Sequence, residues 1–268
     1  MIALFTDFGT RDAYVAQMKG AIVSINPHAR LLDLTHDLKP FHIREAAYLL
    51  EQSARYFPGK TIFVAVIDPG VGTARRPILV RTRADKYYVG PDNGLFTCVV
   101  ERQRLAEAYV LQEPAFFLCP EVSATFHGRD IFAPVAAHLS LGVDPTRFGP
   151  RLAEMVLLPR MAAQRVNQTI QGEVVHIDRF GNVVTNIHAA WLIDVRPGQR
   201  LQVTIADDAH TIPFCLTYAE ASPGALVCLV NSDAAFEVAV SQGNASERLR
   251  VQVGDPILLN QTTAPWQA

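Results

Sequence analysis

The sequence predicts an α/β domain built on a mainly parallel sheet, followed by a smaller all-β, barrel-like domain. Three observations carry this. Short apolar runs alternate with helical periodicity up to about residue 159. The run Thr61–Ile67 is almost wholly apolar and β-branched, as a strand covered on both faces should be. Beyond residue 170 the helical patterns give way to short β-rich stretches divided by turn residues.

In order, Ile2–Thr6 reads as the first strand, ending at Asp7-Phe8-Gly9. Asp12 is placed to N-cap a helix running through Tyr14, Met18, Ile22 and Ile25, which Asn26-Pro27 stops. Leu31–Leu34 reads as a strand and Ile43–Phe57 as a helix ended by Pro58-Gly59. Ile78–Thr82 and Lys86–Val89 form a hairpin, and Leu95–Arg102 and Ala133–Leu141 are helical. Domain 1–159 is joined by a polar linker, 160–170, to a β domain, 171–268. Its expected strands are Gly172–Ile177, Asn182–Asn186, Arg200–Ile205, Ala225–Val230, Phe236–Val240 and Leu249–Val253.

Composition narrows the function. The chain has 268 residues, 49% hydrophobic and 19% charged, enough for one or two cores at ~100–200 residues per domain. The net charge of -2 comes with scattered Lys and Arg, so no basic stripe points to nucleic acid and no polybasic helix to a membrane surface. No apolar run approaches the ~20 residues of a membrane span, and no signal-peptide pattern opens the chain. A cytoplasmic location is expected. Cys98, Cys119, Cys215 and Cys228 form no CxxC pair and lack zinc-ligand spacing, so free thiols are expected and no metal or cofactor is called for.

Two polar segments stand out in apolar surroundings: Asp68-Pro69-Gly70-Val71-Gly72-Thr73-Ala74-Arg75 and Thr125-Phe126-His127-Gly128-Arg129-Asp130. Each is read as lying where a buried strand gives way to glycine. Asp68, Arg75 and His127 meeting in one pocket would form a site that handles a proton. The bland alternatives are an Asp–Arg salt bridge and a core histidine. The first loop lacks both the Gly-Lys-Ser/Thr of a phosphate loop and the GxGxxG dinucleotide fingerprint, which argues against an NTPase or dehydrogenase. Asp7, past the first strand, can accept hydrogen bonds from a ribose diol or simply cap a turn. Pro91-Asp92-Asn93-Gly94 suits a ligand-lining loop or an ordinary turn. In the β domain, Asp178-Arg179-Phe180-Gly181-Asn182 and Asn231-Ser232-Asp233 gather polar groups around strands. An Asn side chain there can pair with an adenine edge and an Asp with an ammonium; hairpin turn chemistry explains both equally.

Taken together and in this order, these motifs resemble the S-adenosyl-L-methionine (SAM) hydroxide adenosyltransferase family, or SAM hydrolases, related to the SAM-dependent fluorinase and chlorinase. The resemblance spans essentially the whole chain. It implies cleavage of SAM by water into adenosine and L-methionine without a metal, in a homotrimer whose active sites lie between the N-terminal domain of one subunit and the C-terminal domain of the next. It places the hydrolytic triad on Asp68, Arg75 and His127. Asp7 would bind the ribose, Asn182 the adenine, and Asp178 and Ser232 the methionine ends, with Asp12 and Phe41 as further pocket residues. Two other readings remain. A halogenase has no use for the triad, and its insertion after the Asp68 loop does not fit the fifteen residues between Arg75 and Pro91. A non-catalytic adenosine or SAM sensor would bind without turnover.

Overall fold

The computed structural model describes residues 1–159 and 162–260. The chain divides into two compact units, Met1–Leu158 and a second beginning at Pro159.

The first unit opens with β1 (Ile2–Thr6), α1 (Tyr14–Ile25), β2 (Leu31–Thr35), α2 (Ile43–Ala54) and β3 (Ile62–Val66). The hairpin β4 (Pro77–Thr82) and β5 (Tyr87–Pro91) follows, then α3 (Thr97–Gln103), β6 (Leu105–Val110) and α4 (Ala133–Ser140). The sheet order is β2-β1-β3-β5-β4-β6. β2, β1, β3 and β5 pair in parallel, and β4 pairs antiparallel with β5 and β6. Period-2 alternation shows why the central strands are apolar throughout. On β1 and β3, Ile2, Leu4, Ile62 and Val64 pack with Met18, Ile22 and Val135 of α1 and α4. The intervening Ala3, Phe5, Phe63 and Ala65 pack with Leu50 and Val99 of α2 and α3. Helices therefore seal both faces, and the chain is open to ligands mainly at the strand ends.

The second unit contains β7 (Gln164–Val166), β8 (Thr169–Ile177), β9 (Val183–His188), β10 (Arg200–Ile205), β11 (Asp208–Pro213), β12 (Leu226–Val230), β13 (Ala235–Val240), α5 (Ala245–Leu249) and β14 (Pro256–Asn260). Their antiparallel order is β11-β10-β14-β8-β9-β13-β12. The two ends of this path meet where Phe214 bridges Cys228 and Cys215 N–H donates to Cys228 O at 2.8 Å, nearly closing a barrel. Alternate residues such as Val174, Leu201, Val203, Phe236 and Val238 fill its interior. All four cysteines are free.

Three expectations change. Asp12 does not cap α1: Ala13 holds that position with no side-chain hydrogen bond, and Asp12 is exposed. Residues read as linker form β7 and the start of β8, whose polar side chains are exposed on a hairpin and hide its period. Residues 160–161 lie outside the described set. Leu249–Val253 is not a strand. Asn244 caps α5 by accepting from Glu247 N–H at 3.0 Å, Leu249 ends that helix, and the strand begins at Pro256. β6 and β11 are two strands without a counterpart in the sequence reading: β6 has two alanines, and half of β11 is polar.

Candidate active site

Asp68 stands just past the carboxyl end of β3, in the turn that returns the chain towards β4. Inside that turn Val71 N–H donates to Asp68 O at 3.2 Å, Thr73 Oγ1 donates to Gly70 O at 2.7 Å, and Arg75 N–H reaches Thr73 Oγ1 at 3.3 Å. These local bonds fold the loop back so that the Arg75 side chain meets Asp68. Gly72 is required here. Its φ is +75°, and a Cβ would stand 2.1 Å from Ala124 O, so only glycine lets this turn lie against the 123–125 loop.

His127 arrives differently from the sequence reading. It follows a loop, not a strand, and begins a helical turn that continues as a π-turn, Gly128–Phe132, into α4. Such turns are rare and often aim functional side chains. Asp130, 1% exposed, braces this turn: it accepts a bidentate pair from Arg129 and a 2.9 Å bond from Ser123 N–H.

The three side chains meet. Arg75 donates from Nε to Asp68 Oδ1 at 3.1 Å and from Nη2 to Asp68 Oδ2, a bidentate contact. The same Nη2 lies 3.0 Å from His127 Nδ1. Both acid and guanidinium are nearly buried, at 4% and 7% side-chain exposure, and Arg75 lies over the Phe132 ring at 5.5 Å. Arg75 Nη1 is buried without a protein partner. Burial pushes the Asp68 carboxyl above its usual range, against the opposing pull of Arg75 and then His127. Burial, reinforced by the Arg75 charge, pushes the His127 imidazole below its usual value. Asp68 and His127 line a cleft of about 420 Å³, while Arg75 stands behind them. Phe8, Tyr14 and Phe126 form its aromatic wall, with ring centroids 5.2 to 5.8 Å apart.

The other residues of this unit take separate places. Asp7 Oδ2 accepts from Phe41 N–H at 2.9 Å, and Thr6 Oγ1 lies 2.8 Å from His36 Nδ1, tying the 6–9 loop to the 36–41 loop. Phe41 is exposed at a φ of +68°. Neither Asp7, Phe41 nor Asp12 lines the cleft that holds Asp68 and His127.

In the second unit Asp178 organises the turn between β8 and β9. Its Oδ1 accepts from Phe180 N–H and Asn182 N–H, each at 2.9 Å, and its Oδ2 accepts from Asn182 Nδ2 at 2.9 Å. Asp178 and Asn182 line a cleft of about 450 Å³ with the exposed rings of Phe180 and Tyr218. The Tyr218 hydroxyl donates to Glu237 at 2.7 Å, and Asn231 Nδ2 donates to the same carboxylate at 3.0 Å. Burial raises the Glu237 carboxyl. Asn231 also pins the turn that carries Ser232, accepting from Asp233 and Ala235 N–H. Ser232 is exposed and outside this cleft. Tyr218, Glu237 and the Phe8–Tyr14–Phe126 wall were not singled out as site residues. Phe8 and Phe126 lie in motifs that the sequence singles out, but Tyr218 sits in a short turn whose local signal, the Thr217–Glu220 capping box, points to a turn and not to a ligand. Among the described residues no group of three His, Cys, Asp or Glu could hold a metal ion.

A nearly buried carboxylate–guanidinium pair joined to a half-buried imidazole, with the acid and the imidazole facing a cleft, and a second cleft with an amide and two aromatic rings on its lining, are the equipment of an enzyme acting on a small molecule. The chain belongs to the SAM hydroxide adenosyltransferase family: residues 2–149 match the model of its N-terminal domain and residues 172–258 that of its C-terminal domain. A Methanocaldococcus jannaschii protein named (R)-S-adenosyl-L-methionine hydrolase is 36% identical, over 96% of this chain and 94% of that one. A Nocardia brasiliensis fluorinase is 32% identical over 87% of each. The crystal structure of an uncharacterized conserved protein from Thermotoga maritima superposes with a TM-score of 0.93 at 37% identity, covering 97% of this chain and all of the other.

Proposed function

We propose that this protein hydrolyses SAM to adenosine and L-methionine, with the (R) sulfonium form named for its relatives as substrate. The observation that carries the reading is the Asp68–Arg75–His127 cluster, with acid and imidazole facing one cleft and the guanidinium behind. Water attacks the ribose C5′ in line with the departing sulfur. The C5′–S bond breaks, its electron pair stays on sulfur, and the neutral thioether leaves without a general acid. The proton lost from water passes to Asp68 and then to solvent.

The electrostatics support this division of labour. Arg75 holds Nδ1 of His127 as an acceptor, so the imidazole is neutral and presents Nε2–H. His127 orients the water as a donor, and Asp68, made more basic by burial, accepts its proton. Bulk water has a pKa of ~15.7, so positioning must supply much of the remaining help, up to the ~7–11 kcal/mol of well-oriented reactants. The aromatic wall offers the sulfonium an apolar surface, which favours loss of its charge.

Asn182, beside Phe180 and Tyr218, reads the adenine edge while the rings flank the base. Asp178 offers its carboxylate to the methionine ammonium, Ser232 its hydroxyl to the carboxylate, and Asp7 its oxygens to the ribose. Asp12 and Phe41 border the substrate less directly. No further cofactor takes part. We place the protein in the cytoplasm as a homotrimer, each active site joining the first unit of one subunit to the second unit of its neighbour.

Halide transfer fits less well, because a halide needs no base and leaves the Asp68–Arg75–His127 cluster without a task. Incubating purified protein with SAM and separating the products tests the reading. Adenosine and methionine in equal amounts are expected. A halide-dependent 5′-halogenated nucleoside, or tight adenosine binding with no products, would overturn it in favour of a halogenase or a sensor.

A further inference from the structure

Asp92 and Asn93 fall outside both clefts, yet they touch the backbone at the two points that deliver the acid and the guanidinium. Asn93 Nδ2 donates to the carbonyl of Ile67, the residue before Asp68, at 2.9 Å, and Asn93 Oδ1 accepts from Leu95 N–H at 3.2 Å. Asp92 N–H donates to the carbonyl of Arg76, the residue after Arg75, at 2.9 Å. The Asp92 carboxylate, 1% exposed, accepts from Arg76 Nε at 2.9 Å and from Val156 N–H at 2.8 Å. Arg76 is tied again through Nη2 to Glu154 O at 3.0 Å. The strands themselves sit too close for slack: a Cβ on Gly90 of β5 would stand 2.2 Å from Ala65 O of β3.

We propose that Asn93 is a positioning residue for Asp68, and that Asp92, acting through Arg76, is one for Arg75. One dipeptide at the end of β5 thereby fixes both ends of the loop whose two side chains must meet. A displacement near 1 Å at reacting groups can lower turnover on the order of 10²-fold, so loss of either tie acts on chemistry more than on binding. Asn and Asp are needed for different reasons: the first must donate to one carbonyl and accept from an amide, the second must satisfy a guanidinium and one backbone N–H with its carboxylate.

This inference rests on the hydrolase reading for its kinetic test, so a second readout is independent of activity. Two variants are compared with the wild-type protein: Asn93→Ala, and Arg76→Lys, which keeps the charge on a side chain 43% exposed but loses the planar fork. kcat and KM for SAM are measured, and the ¹⁵N signals of the His127 ring are followed against pH. The proposal expects kcat to fall by at least about tenfold, with KM within about threefold, and the His127 titration to move, because Arg75 contacts its Nδ1. A lowered Tm with unchanged kcat and a superimposable His127 titration would make the dipeptide a plain structural turn and overturn the proposal. If the wild-type protein does not cleave SAM but the His127 titration still shifts in the variants, the hydrolase reading fails and the positioning role stands.

Discussion

The Nη2 of Arg75 lies 3.0 Å from Nδ1 of His127, and only the neutral imidazole is compatible with that contact. A guanidinium can only donate, so Nδ1 must keep its lone pair. Protonating His127 would set two cationic donors against each other and break the cluster.

This fixes the sign of the pH dependence. Turnover requires Asp68 ionised and His127 neutral, and both conditions hold above the respective pKa. The Asp68 carboxyl is raised by burial, against the pull of Arg75, and the His127 imidazole is lowered by burial and by Arg75, so the two titrations are drawn towards each other. kcat is expected to fall as pH drops through these titrations and to level off above them. A profile that rises on acidification would contradict the assignment of Asp68 as proton acceptor.

Removing members of the cluster should damage chemistry and spare binding. Asp68→Asn, Arg75→Ala and His127→Ala are each expected to lower kcat by ~10²–10⁴-fold, the range of general-base help. Calorimetry should show adenosine still bound by all three, because the cleft proposed for the adenine belongs to the second unit. Near-normal turnover in any of them would remove that residue from the mechanism.

Much of this was legible in the sequence. The apolar runs of β1 and β3 revealed a doubly covered sheet, because burial on both faces leaves polar residues only at the strand ends, as with Thr6. Asp68 and Arg75 were readable because the Pro-Gly-Val-Gly stretch between them can only be a tight turn. The path to His127 was not, since a π-turn leaves no periodic trace, and the segment was read as following a strand. The Asp12 cap failed because an acidic residue ahead of a helix is common whether or not it bonds to the first turn. The Tyr218–Glu237 contact spans 19 positions, and no local pattern signals it.

The cleft proposed for the adenine gives a separate test. Asn182→Ala removes the amide proposed to read the adenine edge and one of the bonds that hold Asp178. A loss of about 1–2 kcal/mol, roughly 5–30-fold in adenosine affinity, is expected by calorimetry. Unchanged affinity would place the adenine elsewhere.

The proposed trimer with shared sites predicts complementation. Asp68→Asn and Asn182→Ala impair different units. If each site joins two subunits, refolding the variants together creates some sites free of both changes, and activity at low SAM rises above either parent. Activity equal to the average of the parents would contradict sites shared between subunits.

The central claim is that water, oriented by His127 and deprotonated by Asp68, attacks the ribose carbon. The direct measurement is turnover of SAM in ¹⁸O-labelled water with mass analysis of both products. One ¹⁸O atom at the 5′ position of adenosine and unlabelled methionine are predicted. Unlabelled adenosine, or label in the methionine, would contradict the mechanism.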